Sequence, residues 1–277
     1  MLYLLRTVWV LCAALALSAC ATDNTTDVSG IDSTTKNTHN ITRIYLAADS
    51  TVADHTLNDD YWEKRHPVTG WGQKFQPFVS GDNLTALKHL IASDSAEVIN
   101  KAKGGRSTRT FFEEGRWDEI YRALQPNDVV LIQFGHNDAA VEKHERYVNL
   151  AGYKQYLRLF VQQTREKKAL PIFLTPVNRN YPWENGQLGN SHGNYPEAMQ
   201  DVAAELEVAL IDLGVLSRNF FTRKGQEYVS KTYFMNIPAG AFSAYPDGLN
   251  DNTHFQPEGA EAVARLVFEA MKALPAQ

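Results

Sequence analysis

A chain of 277 residues with 44% hydrophobic content is long enough for one large core or two small ones. Its formal charge of −5 is mild and includes no basic stripe, which argues against nucleic acid as a partner and against any long-range positive field.

The first residues, MLYLLRTVWVLCAALALSAC, place one early positive charge, Arg6, ahead of an apolar stretch from Val8 to Leu17 and end in small residues before a cysteine. That is the build of a secretory signal, shorter than the ~20 apolar residues a spanning helix needs. The tail Leu17-Ser18-Ala19-Cys20 resembles the bacterial lipobox, in which the cysteine is lipidated and becomes the mature N-terminus. The alternative is simple cleavage after Ala19. The expectation is a lipoprotein signal over 1–19 and export to the cell envelope, periplasmic or at the outer-membrane surface. Membrane attachment is expected only through lipid on Cys20. Cys12 leaves with the signal, so Cys20 has no internal disulfide partner. Residues 21–40 are almost all Thr, Asn, Asp and Ser and cannot bury enough apolar surface to offset their ordering entropy. With Cys20 they read as a tether over 20–40, leaving 41–277 as the folded domain.

From Ile41 onward strands and helices alternate. ITRIYLA (41–47) reads as a first strand, 71–79 as a helix and AEVINKA (96–102) as a second strand. Residues 109–124 are helical in pattern and Pro126 punctuates them. NDVVLIQF (127–134) is the clearest buried strand. Tyr153, Tyr156, Leu157, Phe160 and Val161 fall at i, i+3, i+4, i+7 and i+8, one face of a helix. Short strands over 170–176 and 208–213 flank a helix at 195–206. A continuous stripe of Val263, Leu266, Val267, Ala270, Met271 and Leu274 marks the last helix. The alternation predicts the α/β class: a single doubly wound, flavodoxin-like domain whose central parallel sheet of about five strands carries helices on both faces. Ligands in such folds bind outside the carboxyl ends of the strands.

Those ends carry chemistry. The first reads Ala48-Asp49-Ser50, the second Lys103-Gly104-Gly105-Arg106-Ser107 and the third Gly135-His136-Asn137-Asp138. Before the last helix comes Leu249-Asn250-Asp251-Asn252-Thr253-His254, read as a loop. A serine hydroxyl is a poor nucleophile until a base takes its proton, which His254 can do for Ser50. Asp251, three residues earlier, can hold the other side of the imidazole and select its tautomer. The backbone N–H groups of Ser50 and Gly105 and the side-chain amide of Asn137 are candidate donors to a developing oxyanion.

Each of these residues has an ordinary alternative. A serine after a strand is most often a turn or capping residue, a Gly-Gly pair an ordinary loop, and His136 and Asp138 can serve buried backbone groups. Their order at successive strand ends favours the chemical reading. The G-x-S-x-G elbow is absent, Gly105-Arg106-Ser107-Thr108-Arg109 failing at the last position. No HExxH, C-x-x-C, EF-hand loop, P-loop or strand-following G-x-G-x-x-G occurs, so no metal or cofactor is expected.

With these residues in place the chain resembles the SGNH (GDSL-type) hydrolases and, within them, the rhamnogalacturonan acetylesterases, from about Arg43 to Leu274. The resemblance is carried by LAADSTVAD, TGWGQKFQPFV, NKAKGGRSTRTF, QFGHND, LTPVNRN, SHGNYPEAM, ALIDL and DNTHFQPEGA. It implies Ser50 as nucleophile, Asp251 and His254 as its partners, and Ser50, Gly105 and Asn137 as oxyanion donors. It also implies removal of O-acetyl groups from an acetylated plant cell-wall polysaccharide, rhamnogalacturonan or related pectin. The rivals are an acetylxylan or general carbohydrate acetylesterase and, in another class, an inactive glycan-binding surface lipoprotein. The family's Gly-Asp-Ser reads Ala48-Asp49-Ser50 here, which is the one hint of lost activity. The stretch 55–66 is longer than the resemblance requires and is expected to shape the cleft. Tyr61, Trp62, Tyr181, Trp183 and Tyr245 are candidates for stacking on sugar rings, or for packing beneath their own loops. Arg106, Arg109 and Arg179 are candidates for meeting uronate carboxylates, or for pairing with Glu113, Glu114 or Glu184.

Overall fold

A computed structural model describes residues 41–276; the signal, Cys20 and tether expectations lie outside the described residues. The run Ile44-Tyr45-Leu46-Ala47 is fully apolar, and β1 (Ile41–Ala48) is correspondingly buried on both faces. It pairs in parallel with β2 (Ser95–Asn100) on one side and with β3 (Val129–Gln133) on the other. β4 (Leu170–Leu174) and β5 (Ala209–Ile211) extend the sheet in parallel, giving the order β2-β1-β3-β4-β5. That is the flavodoxin-like order, and it reverses direction at β1 and β3, where the crevice of such a sheet opens.

Alternation along the strands sorts the core into two layers. Ile44, Leu46, Val129, Leu131, Ile172 and Leu174 pack on one face beneath α5 (Leu213–Lys224) and α6 (Pro257–Lys272). Tyr45, Ala47, Val130, Ile132 and Phe173 pack on the other beneath α1 (Thr108–Glu113), α2 (Arg116–Ala123), α3 (Leu150–Glu166) and α4 (Tyr195–Leu206). Trp117 of α2 stacks on Phe160 of α3 with centroids 4.1 Å apart.

Four local expectations are corrected. Residues 71–79 form two 3₁₀ turns, Trp71–Lys74 and Gln76–Val79, in place of one helix, because Pro77 has no N–H to continue an α-helical ladder. The 109–124 helix is broken into α1 and α2 by Gly115, whose φ of 74° is left-handed. α5 was not expected; Asp212 caps it by accepting from the Val215 N–H at 3.2 Å. The Asp251–His254 segment is a strand: β7 (Leu249–Phe255) pairs antiparallel with β6 (Phe234–Ile237), with a register shift between Phe234 and Met235. Its Asn- and Asp-rich sequence has low strand propensity, so tertiary packing decides it.

Candidate active site

Ala48 lies opposite Gln133 in the β1–β3 register, so Ser50 and His136 leave adjacent strand ends together. Beyond β2 the chain keeps pairing with β1, the Lys103 N–H donating to the Ala48 carbonyl at 3.1 Å. That carries Gly104 beside Ser50: a methyl on Gly104 would sit 3.6 Å from the Ser50 Cβ. Ala48 itself ends β1 with its side chain in the core, 1% exposed, so the methyl in place of the family's glycine points away from the cleft.

The loop after β1 is held from several sides. Asp49 is fully buried, and its Oδ1 accepts from the Thr51 N–H (2.9 Å) and hydroxyl (2.8 Å). Gln133 donates from Nε2 to Thr51 Oγ1 at 2.8 Å and accepts from Trp71 Nε1 at 2.9 Å. Asp49 Oδ2 stands 3.0 Å from His136 Nδ1, close but off-axis for a hydrogen bond. Burial opposes ionisation of Asp49, yet His136 and the Thr51 donors hold its pKa below the ordinary carboxylate value. His55 is buried and places Nε2 2.8 Å from the Ser50 carbonyl, which can only accept, so that nitrogen carries the proton. Burial pushes the His55 pKa down to about 4, so the ring is neutral near pH 7.

Ser50 Oγ lies 2.9 Å from His254 Nε2, and His254 Nδ1 lies 2.6 Å from Asp251 Oδ2. The other Asp251 oxygen accepts from the Thr253 and His254 N–H groups at 2.8 and 3.1 Å, closing a compact turn within β7. Burial raises the Asp251 pKa, but the hydrogen bond and charge of His254 and these two N–H donors outweigh it, bringing the group down to about 2.

Among the described residues nothing in the protein accepts from the N–H of Ser50 or of Gly105. Asn137 Nδ2 donates to the Arg106 carbonyl at 2.9 Å, which fixes the amide and leaves its second N–H free. Gly105 sits at φ +80°, and Gly135 at φ +141° against Pro176, where a methyl would come within 2.8 Å of Pro176 Cγ. Ser50, Gly105, Asn137, Asp251 and His254 all line one cleft of about 1030 Å³. Among the described residues no three His, Cys, Asp or Glu side chains cluster to hold a metal ion.

The other candidates divide. Tyr181 and Tyr245 line the cleft, and Tyr181 is 40% exposed. Tyr61 is buried, Trp183 donates to Asn180 Oδ1 and packs on the core, and Trp62, though exposed, stacks on His66 away from the cleft wall. His55, Asn58 and Arg65 bring the 55–66 stretch into the cleft wall. Arg106 pairs with Glu114 at 2.9 Å, and Arg109 pairs with Glu113 and lies outside the cleft, while Arg179 lines it. Ser107 is the cap of α1. Sequence reasoning missed His55 and Arg146. His55 carried the signal of a second histidine close after Ser50; Arg146, in the unpatterned HERY loop, carried none.

A serine, histidine and aspartate joined in one hydrogen-bonded chain, with free N–H donors beside them on a doubly wound sheet, have the build of a serine hydrolase acting on esters. The chain belongs to the GDSL-like lipase/acylhydrolase family, whose profile matches residues 68–262, downstream of Ser50. It is 42% identical over 232 residues to the probable rhamnogalacturonan acetylesterase YesY of Bacillus subtilis, covering 83% of this chain and 93% of that one. It is 38% identical to the rhamnogalacturonan acetylesterase RhgT of the same organism, covering 84% of this chain and 90% of that one. Among solved structures, the Bacillus subtilis protein YxiM superposes with a TM-score of 0.65 at 28% identity, over 84% of this chain and 56% of that one. An acetylxylan esterase from Geobacillus stearothermophilus shares the fold, with a TM-score of 0.53 at 18% identity over 83% of this chain and 94% of that one.

Proposed function

We propose that this protein is a serine esterase that removes O-acetyl groups from rhamnogalacturonan or a related pectic polysaccharide. The observation that carries the reading is the Ser50–His254–Asp251 chain, 2.9 and 2.6 Å link by link, on the wall of an open cleft large enough for a sugar chain. The two Bacillus subtilis relatives named for rhamnogalacturonan acetylesterase activity support the substrate class.

In this reading Ser50 Oγ attacks the acetyl carbonyl carbon while His254 Nε2 takes the hydroxyl proton. Asp251 holds the Nδ1–H and stabilises the imidazolium. The carbonyl oxygen, now an alkoxide, receives hydrogen bonds from the Ser50 and Gly105 N–H groups and from Asn137 Nδ2. As the tetrahedral centre collapses, the C–O bond to the sugar breaks and His254 returns its proton to the departing sugar oxygen. Water, deprotonated by the same imidazole, then attacks the acetyl-serine carbonyl carbon; the bond to Ser50 Oγ breaks, His254 returns the proton to that oxygen, and acetate leaves. Every step uses groups of this chain and water.

The test is acetate release from acetylated rhamnogalacturonan and acetylated xylan by the parent, S50A and H254A. The parent should favour the pectic polymer, and both variants should lose nearly all turnover while keeping the parent's circular dichroism. Full activity in either folded variant sinks the assignment; equal rates on the two polymers leave a general carbohydrate acetylesterase. The residues 1–20 support the further proposal that the enzyme is exported and held at the cell envelope by lipid on Cys20. C20S should leave the membrane fraction or fail to mature, and equal partitioning with the parent refutes the anchor.

A further inference from the structure

The cations around the cleft are Arg65, Lys103, Arg106, Arg146 and Arg179, and four of them are already engaged. Arg65 stands 3.7 Å from Asp60, Lys103 donates to Asn58 Oδ1 at 3.3 Å and Arg106 pairs with Glu114. Arg179 donates to the His136 carbonyl at 3.1 Å and to the Tyr181 hydroxyl. Arg146 differs. Among the described residues its guanidinium makes no hydrogen bond and no ion pair, although Glu142 lines the same cleft; its Nε is buried without a partner, as is that of Arg179, whose two terminal nitrogens are both bonded. A guanidinium presents a fork of donors, and burying one of them unpaired is unfavourable unless something arrives to accept from it.

Its position is built rather than incidental. The chain leaves β3 through Asn137 and Asp138, and the Val148 N–H returns to the Asp138 carbonyl at 3.1 Å, closing a loop that holds Arg146 near its end. Arg109 clamps that loop from outside, Nη2 donating to the carbonyls of His144 (3.1 Å) and Glu145 (2.9 Å). A methyl on Gly105 would sit 3.5 Å from Arg146 Nη1. The unpaired fork therefore lies beside one of the donors that would hold the acetyl oxygen.

We propose that Arg146 is the residue that reads substrate charge, its guanidinium gripping the carboxylate of a hexuronate at or next to the acetylated sugar. On a hexuronate ring the carboxylate and the acetylated hydroxyls lie within one ring's width. A sugar with its acetyl carbonyl at Gly105 thus presents its own or its neighbour's carboxylate to the fork. A planar guanidinium matches a planar carboxylate in two parallel hydrogen bonds, which a neutral sugar cannot offer. The inference rests on the acetylesterase reading. It places the uronate contact on Arg146 in place of Arg106, which Glu114 holds, and of Arg109, which serves the loop.

The test compares acetate release from acetylated rhamnogalacturonan with its carboxylates free and with them methyl-esterified, for the parent, R146Q and R146K. In the parent the ratio of kcat/KM for the free over the esterified polymer should be about 10 to 100 and shrink as salt rises. In R146Q that ratio should fall by about 10- to 100-fold, mainly through KM, the size expected when a bidentate charge-assisted contact is lost. R146K, which keeps the charge and loses the fork, should fall between. An equal loss on both polymers would put Arg146 at the oxyanion or in the fold and overturn the proposal. An unchanged ratio in both variants would overturn it while leaving the acetylesterase reading intact. A parent that releases acetate from neither polymer would end both.

Discussion

Asn137 shows how single side chains in this cleft are set before substrate arrives. One amide N–H is tied to the Arg106 carbonyl and the other is free, so the donor is oriented at no cost when charge develops. N137A should lower kcat by about 10²- to 10³-fold with little change in KM, as removal of one oxyanion donor does. A raised KM with kcat preserved would make Asn137 a ground-state contact instead. Asp251 supports a second expectation. Its carboxyl moves from an ordinary 3.8 to about 2, so any stability it lends is present above pH 3.8 and is lost only as pH falls toward 2. Between pH 4 and 8 it stays a carboxylate. An infrared titration should therefore show no protonation of the Asp251 carboxylate over that range; protonation of it above pH 4 would contradict the pairing.

At the scale of elements, the loop that carries Ser50 is positioned by a 3₁₀ turn as much as by the strand it follows. The Trp71 N–H donates to the Thr51 carbonyl at 2.9 Å, and Gly72 lies so close that a Cβ there would be 2.5 Å from the Val52 carbonyl oxygen. Backbone cannot give way as a side-chain tip can, so G72A must push the turn off the loop. Overpacking of this kind costs about 1–3 kcal/mol. G72A should lower Tm and, because the same loop carries Ser50, lower kcat as well. Loss of stability with kcat intact would show that the loop holds its shape without the turn. The β6–β7 ribbon plays the matching part on the other side. It presents Asp251 and His254 from outside the main sheet, which is why both groups reach Ser50 from the far end of the sequence.

For the molecule as a whole, buried charge beneath the cleft sets a pH dependence that is separate from catalysis. Asp138 is fully buried, with Oδ1 accepting from the Thr108 N–H (3.0 Å) and hydroxyl (2.6 Å) and Oδ2 left without a partner. Burial pushes its pKa up to about 7, the Thr108 donors opposing and the nearby Asp49 charge adding to the rise. Because the folded form holds the proton more tightly than an ordinary carboxyl near 3.8, stability is intact below that pH and is lost as pH rises toward 7. D138N keeps an oxygen for Thr108 and cannot ionise. Its Tm should decline less than the parent's between pH 4 and 7, and superimposable Tm profiles would refute the assignment. The net charge of −5 acts at this scale too: it repels a polyuronide, so any preference for one must come from local groups such as Arg146.

Apolar runs long enough to bury on both faces made the strands of the sheet readable from sequence, and the alternation with helices made their parallel order readable too. That Ser50, Gly105, Asn137, Asp251 and His254 form one candidate site was legible because strand ends are where such a fold exposes chemistry, and their order there outweighed the ordinary alternative each one has. Other features depend on contacts between segments far apart in the chain. A strand made of Leu249-Asn250-Asp251-Asn252-Thr253-His254 exists only because β6 pairs with it. The 3₁₀ turns and the break at Gly115 are local and could be suspected from Pro77 and Gly115, but only packing fixes where each piece lies. Which arginine stays unpaired was beyond any pattern, since Arg106, Arg109, Arg146 and Arg179 carry the same charge in sequence. Their difference lies in the carboxylates and carbonyls that folding brings within reach of three of them and not of the fourth.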